Sequence, residues 1–530
     1  MSEPQARLPE SGRGSPIDFV VTLAAFTGLV VYLFNLPLWP TAWGGPRGAG
    51  PFEEVSLPGA AWFAREARLY LESFAKVRSP DHVLEATGEA LAGYYALLAL
   101  ARYVLLWVVL RRVGGCGLLA SLGVVAAALP LLFGAPRQYD ADVGLLLFVV
   151  LLVATTPGPI SWWTAIGALP LLFAVWANAH TSVMVGLAWL GVLTFGSLVE
   201  WWKHGRGESV HAYGAARLAV AMVLCAVTAC LNPDGRQLFV DAFKATKNPN
   251  IATLTDWQPV DFSKPAGMPL GYFATIVALL VIQLVSPRVI SPTGLVVVFT
   301  FGFWPLIQQR GQSYWWLIVP VLLVPQLAAL VDGWTNRCSG RANSLPRWRW
   351  IGVAPLAATI VAAPPAWWLI TGRPRPLERI VSTDTPWRVA RELRAEGDDA
   401  GRYLPDLRTT VETAYPNGRY RGAILCDEMQ GDFLAWVLDG DNSQPVMLYT
   451  RPEALDPPHW AEAHRALDGL GDWWEILGRH QVNLVVIDPG KRGKLADRLR
   501  GSEAWRTFQD GILLVAVRRE PKLPAEMQRP

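Results

Sequence analysis

The stretch that decides the fold runs from Trp176 to Lys203, WANAHTSVMVGLAWLGVLTFGSLVEWWK. A polar turn, Asn178 to Ser182, opens onto an apolar run that closes on Glu200, two tryptophans and Lys203. The hydrocarbon core of a bilayer asks for about 20 such residues in a row, because a helix there must bond every backbone group within itself. A soluble surface helix would carry a charged face. This run carries none until its end.

Working outward, similar runs cover 18–38, 90–110, 116–133, 143–157, 161–178, 182–201, 215–232, 270–287, 291–307, 313–332 and 352–371. That makes about eleven transmembrane helices of bilayer length. The third to fifth are short, and Pro130, Pro157, Pro159 and Pro170 interrupt them, so broken or re-entrant segments are an open reading there. With 52% hydrophobic and 17% charged residues in 530, the chain is too apolar for a soluble enzyme and too interrupted for a single anchor. The net charge of +3 is small, and no zinc-finger or phosphate-loop spacing occurs, which sets nucleic acid aside. No small-residue cleavage site follows the first run, so it reads as an uncleaved anchor.

Basic residues set the orientation. Arg111, Arg112, Lys203, Arg206, Arg217, Arg288, Arg337, Arg341, Arg347 and Arg349 fall in alternate short loops, while the opposite short loops hold Arg137 and Arg310 and little else. The positive-inside rule makes the first set cytoplasmic. The expected organisation is a cytoplasmic N-terminal tail (1–17), a transmembrane domain (18–371) with a long first outer loop (39–89), a linker (372–386), a soluble α/β domain (387–520) and a short tail (521–530). The location expected is the cytoplasmic (inner) membrane, with the N-terminus cytoplasmic and the C-terminal domain extracytoplasmic. In the first outer loop, apolar residues from Ala60 to Lys76 recur at helical spacing, which predicts a helix lying on the outer leaflet or packed on the tail domain.

In that tail domain, Ala423 to Cys426, Pro445 to Leu448, Asn483 to Ile487 and Ile512 to Val517 read as buried strands. Helical patterns lie between them, which predicts a small α/β sandwich with a largely parallel sheet. Five cysteines are scattered, and only Cys426 lies in this domain, so it holds no internal disulfide.

Chemistry-bearing residues collect in the outer turns. Glu53 and Glu54 follow a Gly/Pro-rich turn; each could deprotonate a hydroxyl or hold a divalent cation, and solvated charge is the plainer reading. Arg137 with Asp140 and Asp142 forms a compact polar turn that is either a self-neutralising ion pair or a base beside a phosphate contact. Asn178 and His180 interrupt two apolar runs at their shared outer end, as proton-transfer groups or as turn residues. Asn232-Pro233-Asp234-Gly235 signals a tight turn and opens a loop running through Asp256 and Trp257 to Asp261. Gln308, Gln309 and Gln312 surround Arg310, as a site for a phosphorylated headgroup or a simple interfacial anchor. In the tail, Asp427, Glu428 and Asp432 follow a strand and precede a helix, where α/β folds place ligands and where helix capping also wants acids. No HExxH or GxSxG occurs, so hydrolase readings gain no support.

The segments WANAHTSVMVGLAWLG (176–191), LNPDGRQLF (231–239), TDWQP (255–259), ILCDEMQGDFLAWVL (424–438) and QVNLVVID (481–488) resemble those of the GT-C superfamily of polyprenyl-phosphate-sugar-dependent glycosyltransferases, in particular bacterial members with a small α/β tail. The resemblance implies transfer of a sugar from a polyprenyl-phosphate carrier in the membrane to an acceptor on the extracytoplasmic face. An acid in the first outer loop would serve as base or metal ligand. The usual Asp-containing motif is absent there, and Glu53, Glu54, Asp81, Glu85 and Glu89 stand in its place. The catalytic candidates are Glu53, Glu54, Asp140, Asp142 and His180; the substrate-binding candidates are Arg137, Asn178, Asn232, Trp257, Arg310 and Gln312. A divalent cation, Mg or Mn, is the cofactor left open. A transporter or flippase of a lipid-linked or polar solute, and a non-catalytic envelope scaffold, are the alternatives.

Overall fold

Ten of the expected apolar runs fall on helices. The computed structural model describes residues 16–35, 80–115, 117–132, 142–156, 158–204, 209–232, 235–245, 247–251, 254, 257–260, 268–335, 375–394, 401–415, 418–438, 446–448 and 455–522. The helices are α1 (Pro16–Asn35), α2 (Pro80–Gly114), α3 (Gly117–Leu132), α4 (Asp142–Thr155), α5 (Thr164–Ala179), α6 (Val183–His204), α7 (Ser209–Ala229), α8 (Gln237–Ala245), α9 (Met268–Val285), α10 (Pro292–Leu306) and α11 (Gly311–Thr335). The eleventh run, 352–371, and the amphipathic stretch 60–76 lie outside the described residues. Among the described residues, Thr87–Gly114, Val183–Lys203 and Gly311–Val331 are long and apolar enough to cross a membrane, and seven further helices are apolar but shorter. α2 starts at Pro80, well before the expected 90, because Asp81, Glu85 and Glu89 break the apolar pattern without breaking the helix.

The chain divides into two compact units. The first holds Met1–Asn35, Gly93–Lys244 and Ala252–Thr371. Its interior is aromatic: Phe148 meets Trp189 and Tyr314 edge to face, Trp189 meets Phe301 in the same way, and Gly186 lets α6 close on Trp176 and Phe173. Its outside is apolar as well. Trp163, Trp202 and Leu284 are 83%, 82% and 86% exposed, a surface that only a nonaqueous surrounding would leave uncovered.

The contacts also show which helix ends share a level. Gly114 is pressed on Val324 of α11, and Arg112 donates to the Val153 carbonyl near the end of α4 at 3.4 Å. Arg217, early in α7, donates to the Ile160 carbonyl just before α5 (3.1 Å). Ser286, after α9, donates to the Gln326 carbonyl of α11, and the Thr293 N–H of α10 donates to Glu200 of α6. Arg111, Arg112, Lys203, Arg217 and Arg288 therefore gather at one end of the bundle. The starts of α4, α6 and α11 and the end of α5 lie at the other.

The second unit holds Leu36–Ala92, Ala245–Ile251 and Gly372–Pro530. Its elements are α12 (Leu377–Ile380), α13 (Trp387–Arg394), α14 (Pro405–Ala414), β1 (Ala423–Cys426), α15 (Glu428–Leu438), α16 (Pro457–Leu467), α17 (Trp473–Arg479), β2 (Val482–Ile487), α18 (Gly493–Arg500), β3 (Trp505–Asp510) and β4 (Leu513–Arg518). Strand order is β1-β2-β4-β3. Only β1 and β2 pair in parallel; β2 with β4 and β4 with β3 are antiparallel, so the largely parallel sheet expected from sequence is corrected to a mixed one. The missed strand is β3, whose sequence WRTFQD is half polar because its side chains are only partly covered. It turns into β4 through Gly511 and Ile512, with Gly511 at φ 60°, a backbone state that a two-residue hairpin needs and glycine supplies. The expected strand at 445–448 shrinks to one parallel bridge, Val446 to Ile424.

Ion pairs fasten the front of α2 within this unit. Arg391 of α13 reaches Glu85 at 3.1 Å, and Arg375 grips both oxygens of the fully buried Glu89 at 2.8 and 3.2 Å. Glu392 accepts the backbone N–H groups of Gly401, Tyr403 and Leu404 and so shapes the approach to α14.

Candidate functional site

The site is built at the bundle end opposite the basic residues. α5 stops at Ala179, and His180 takes an extended conformation (φ −162°, ψ 139°) that turns the chain into α6. The Ser182 N–H donates to His180 Nδ1 at 3.0 Å, and Ser182 Oγ lies 2.7 Å from the same nitrogen. The buried Trp176 indole donates to Ser182 Oγ at 3.0 Å. Tyr314, in the first turn of α11, hydrogen-bonds Ser182 and lies within electrostatic reach of Arg310. Gly144, in the first turn of α4, is so close that a Cβ there would strike Ser182 Oγ and His180 Nδ1.

Arg310 sits over the Trp257 ring at 5.8 Å, and the Gln309 N–H donates to the Gln258 carbonyl at 2.7 Å, which ties loop 257–260 to the entry of α11. Trp304 stacks on Tyr314 with centroids 5.4 Å apart and donates to Gln308. Among the described residues Arg310 meets no carboxylate. A guanidinium backed by an indole can present its charge to an anion.

His180, Trp257 and Arg310 thus come together. Asp142 is the first residue of α4, two positions before Gly144, so its backbone stands at the same place. Glu53, Glu54, Arg137 and Asp140 lie outside the described residues. Asn178 is exposed and bonds back to the Ala174 carbonyl at 2.8 Å, which is a helix-end role. Asn232 closes the end of α7 by donating to Ala229, and its carbonyl accepts from Gly235 at φ 55°; no described contact joins it to the cluster. Gln312 is fully buried with both amide atoms unbonded. The three amides do not surround one guanidinium: Gln308 serves Trp304, and Gln309 acts through its backbone. Glu85 and Glu89, two of the stand-in acids of the first outer loop, are taken by their arginines. Among the described residues no group of three or more His, Cys, Asp or Glu could hold a metal ion.

Sequence reading missed Tyr314, Trp304 and Gly144. Nothing around Tyr314 distinguishes it from the aromatic run beside it, and a glycine at a helix start carries no sign of what it faces. Ser182 was legible, since it closes the W-x-N-x-H-x-S turn.

The tail holds a second polar group at the end of β1. Arg492 binds Asp427 at 2.7 Å and Asp468 at 2.5 Å, and His464 pairs with Glu428 at 3.1 Å. Burial raises the Asp427 carboxyl despite Arg492, whereas Glu428, which burial would raise, is held below the ordinary value by His464 and Arg492. These acids are committed to ion pairs at the start of α15, which favours capping over ligand binding.

Comparison with known proteins gives likeness of shape. No protein-family profile and no curated protein matches the chain. The crystal structure of ArnT from Cupriavidus metallidurans bound to undecaprenyl phosphate is similar over 95% of this chain and 98% of that one, at 14% identity and a TM-score of 0.42. An oligosaccharyltransferase of Archaeoglobus fulgidus, tethered to an acceptor peptide, is similar over 91% of this chain and 70% of that one, at 11% identity and a TM-score of 0.41. The oligosaccharyltransferase AglB of the same organism, in complex with an inhibitory peptide and a dolichol-phosphate, covers 97% and 71%, at 11% identity and a TM-score of 0.32. These are GT-C glycosyltransferases, the superfamily that the sequence motifs resemble. Scores this low transfer no residue and no activity, so the functional reading stands on the chain's own residues.

Proposed function

We propose that the chain is a membrane glycosyltransferase of GT-C type, which moves a sugar from a polyprenyl-phosphate carrier to an acceptor at the extracytoplasmic face of the inner membrane. The observation that carries this is the meeting of His180, Ser182 and Tyr314 with Arg310 over Trp257, an arginine that meets no carboxylate among the described residues, at the bundle end away from the basic residues. Arg310 would bind the phosphate and hold the charge that grows on it as the glycosidic bond breaks. A carboxylate would take the proton of the attacking hydroxyl. The candidates for it are Asp142, at the head of α4, with Glu53, Glu54 and Asp140. Trp304, backed by the buried Tyr314, would offer a flat wall to the sugar.

The test is transfer from a polyprenyl-phosphate sugar by the full chain in lipid nanodiscs. Arg310→Ala and at least one alanine variant among Glu53, Glu54, Asp140 and Asp142 are expected to lose it. Four fully active carboxylate variants would exclude the scheme.

A further inference from the structure

We propose that Arg518, Trp505 and Lys522 form an anion site in the tail domain, which takes a phosphate or carboxylate group beneath Trp474. The site does not depend on sugar transfer. Trp505 of β3 is the register partner of Arg518 of β4, and residues opposite each other in paired strands project to one face of the sheet. The Arg518 guanidinium lies over two indoles, that of Trp505 at 4.9 Å and that of Trp474, from α17, at 4.8 Å. Trp505 is 2% exposed and Trp474 is 37% exposed, so one ring is the floor and the other meets solvent. Stacking steadies a cation but satisfies none of its N–H groups. Nε donates to the Val482 carbonyl at 3.2 Å, whereas Nη2 is buried without an acceptor. The Trp505 Nε1–H is buried without one as well.

A buried arginine is ordinarily paired with an acid, because an uncompensated interior charge is costly. Arg518 is buried, and among the described residues no carboxylate pairs with it. The nearest acids along the chain, Glu475 and Glu520, form no ion pair there. Neighbouring acceptors are engaged: Asn483 Oδ1 accepts the Lys522 N–H, and the Arg518 carbonyl accepts from Tyr415. A second cation stands close by. Trp474 and Gly478 lie one turn apart on one face of α17, and a Cβ on Gly478 would come within 2.7 Å of Lys522 Nζ. Lys522 is exposed and, among the described residues, has no carboxylate partner. That face of α17 therefore meets a guanidinium at Trp474 and an ammonium at Gly478. Two positive charges and an indole N–H suit an oxyanion, whereas a neutral ligand would leave both charges uncompensated. A phosphoryl group, with about two negative charges near neutral pH, matches both cations; a carboxylate matches the guanidinium alone.

The experiment uses the full chain in nanodiscs, labelled with 5-fluorotryptophan, and titrates inorganic phosphate and, separately, acetate, each against chloride at equal ionic strength. The fluorine signals of Trp474 and Trp505 are assigned by their absence in Trp474→Phe and Trp505→Phe. Both signals are expected to shift saturably with phosphate or acetate and not with chloride. Tighter binding of phosphate makes the occupant a phosphoryl group, and tighter binding of acetate makes it a carboxylate. Lys522→Ala, an exposed change that leaves the stack in place, is expected to weaken phosphate by about threefold or more. Arg518→Met is expected to abolish the shifts. Since Arg518→Met risks the fold, Trp505→Phe, read at the Trp474 signal, tests the buried donors separately and is expected to weaken binding by about fivefold or more. No saturable shift, an equal shift with chloride, or full affinity in both Lys522→Ala and Trp505→Phe overturns the site and leaves Arg518 as a cation held by its two indoles.

Discussion

At the residue scale, burial and pairing separate acids that look alike in sequence. Glu89 is an acid of the first outer loop, yet its carboxylate is fully buried and both oxygens are held by Arg375. Removing one partner of such a pair strands the other charge and costs about 3–5 kcal/mol, far more than an exposed pair is worth. Glu89→Ala is therefore expected to lower the thermal unfolding midpoint of the detergent-solubilised chain strongly, and a variant that melts with the wild type would refute the structural role. Gly144 makes the opposite case, a position where adding one carbon does the damage. The methyl of Gly144→Ala would meet Ser182 Oγ and His180 Nδ1, and overpacking of this kind costs about 1–3 kcal/mol. The expected outcome is a lower melting point together with a changed His180 ring signal. An unshifted signal would mean that α4 gives way instead of the histidine.

At the scale of elements, α16 is fixed at two points by carboxylate–histidine pairs. His464 reaches Glu428 at the start of α15, and Glu462 accepts from His480 at 2.6 Å and pairs with Arg479 at the end of α17. Glu462 is held below the ordinary glutamate value, first by its hydrogen bond to His480; Glu428 is also lowered, against its burial. An acid whose folded pKa is depressed adds stability that is present above the unfolded value and is lost as pH falls through the folded one. Hydrogen exchange of the Pro457–Leu467 peptide in the full chain is expected to speed up, relative to β2, as pH drops below the ordinary glutamate range. Glu462→Gln should remove part of that dependence; equal protection at neutral and acid pH would contradict it. None of this was legible beforehand, because histidine and glutamate far apart in sequence show no periodicity. β2 and β4 were legible, since their side chains are buried throughout and read as short apolar runs. β3 was not, because partial cover leaves it looking like a loop.

At the scale of the whole molecule, the apolar runs were readable because a helix in lipid must be continuous, and so was the gathering of His180, Trp257 and Arg310, since polar residues there concentrate at the turns. The hydrogen bonds around Ser182 were not, because they depend on how Trp176 of α5 and His180 meet at the turn before α6. The same helices supply a ruler for the topology. Val324 touches Gly114, and α11 rises about 1.5 Å per residue, so its start beside Arg310 stands about 20 Å from the level of Gly114 and Arg112. α4 gives an independent measure: Gly144 meets His180, while Val153, nine residues on and about 14 Å along the helix, accepts from Arg112. The first ruler places Arg112 and Arg310, and the second Arg112 and His180, at opposite ends of a bundle whose outside is apolar. With the five native cysteines replaced, Arg112→Cys and Arg310→Cys in sealed vesicles of known orientation are expected to react with a membrane-impermeant maleimide from opposite sides. Arg310 should be the one reached from the extracytoplasmic side, because the basic residues gather at the other end. Labelling of both from one side would mean that the bundle does not cross the bilayer along its helix axes, and the route from membrane carrier to site would fall with it.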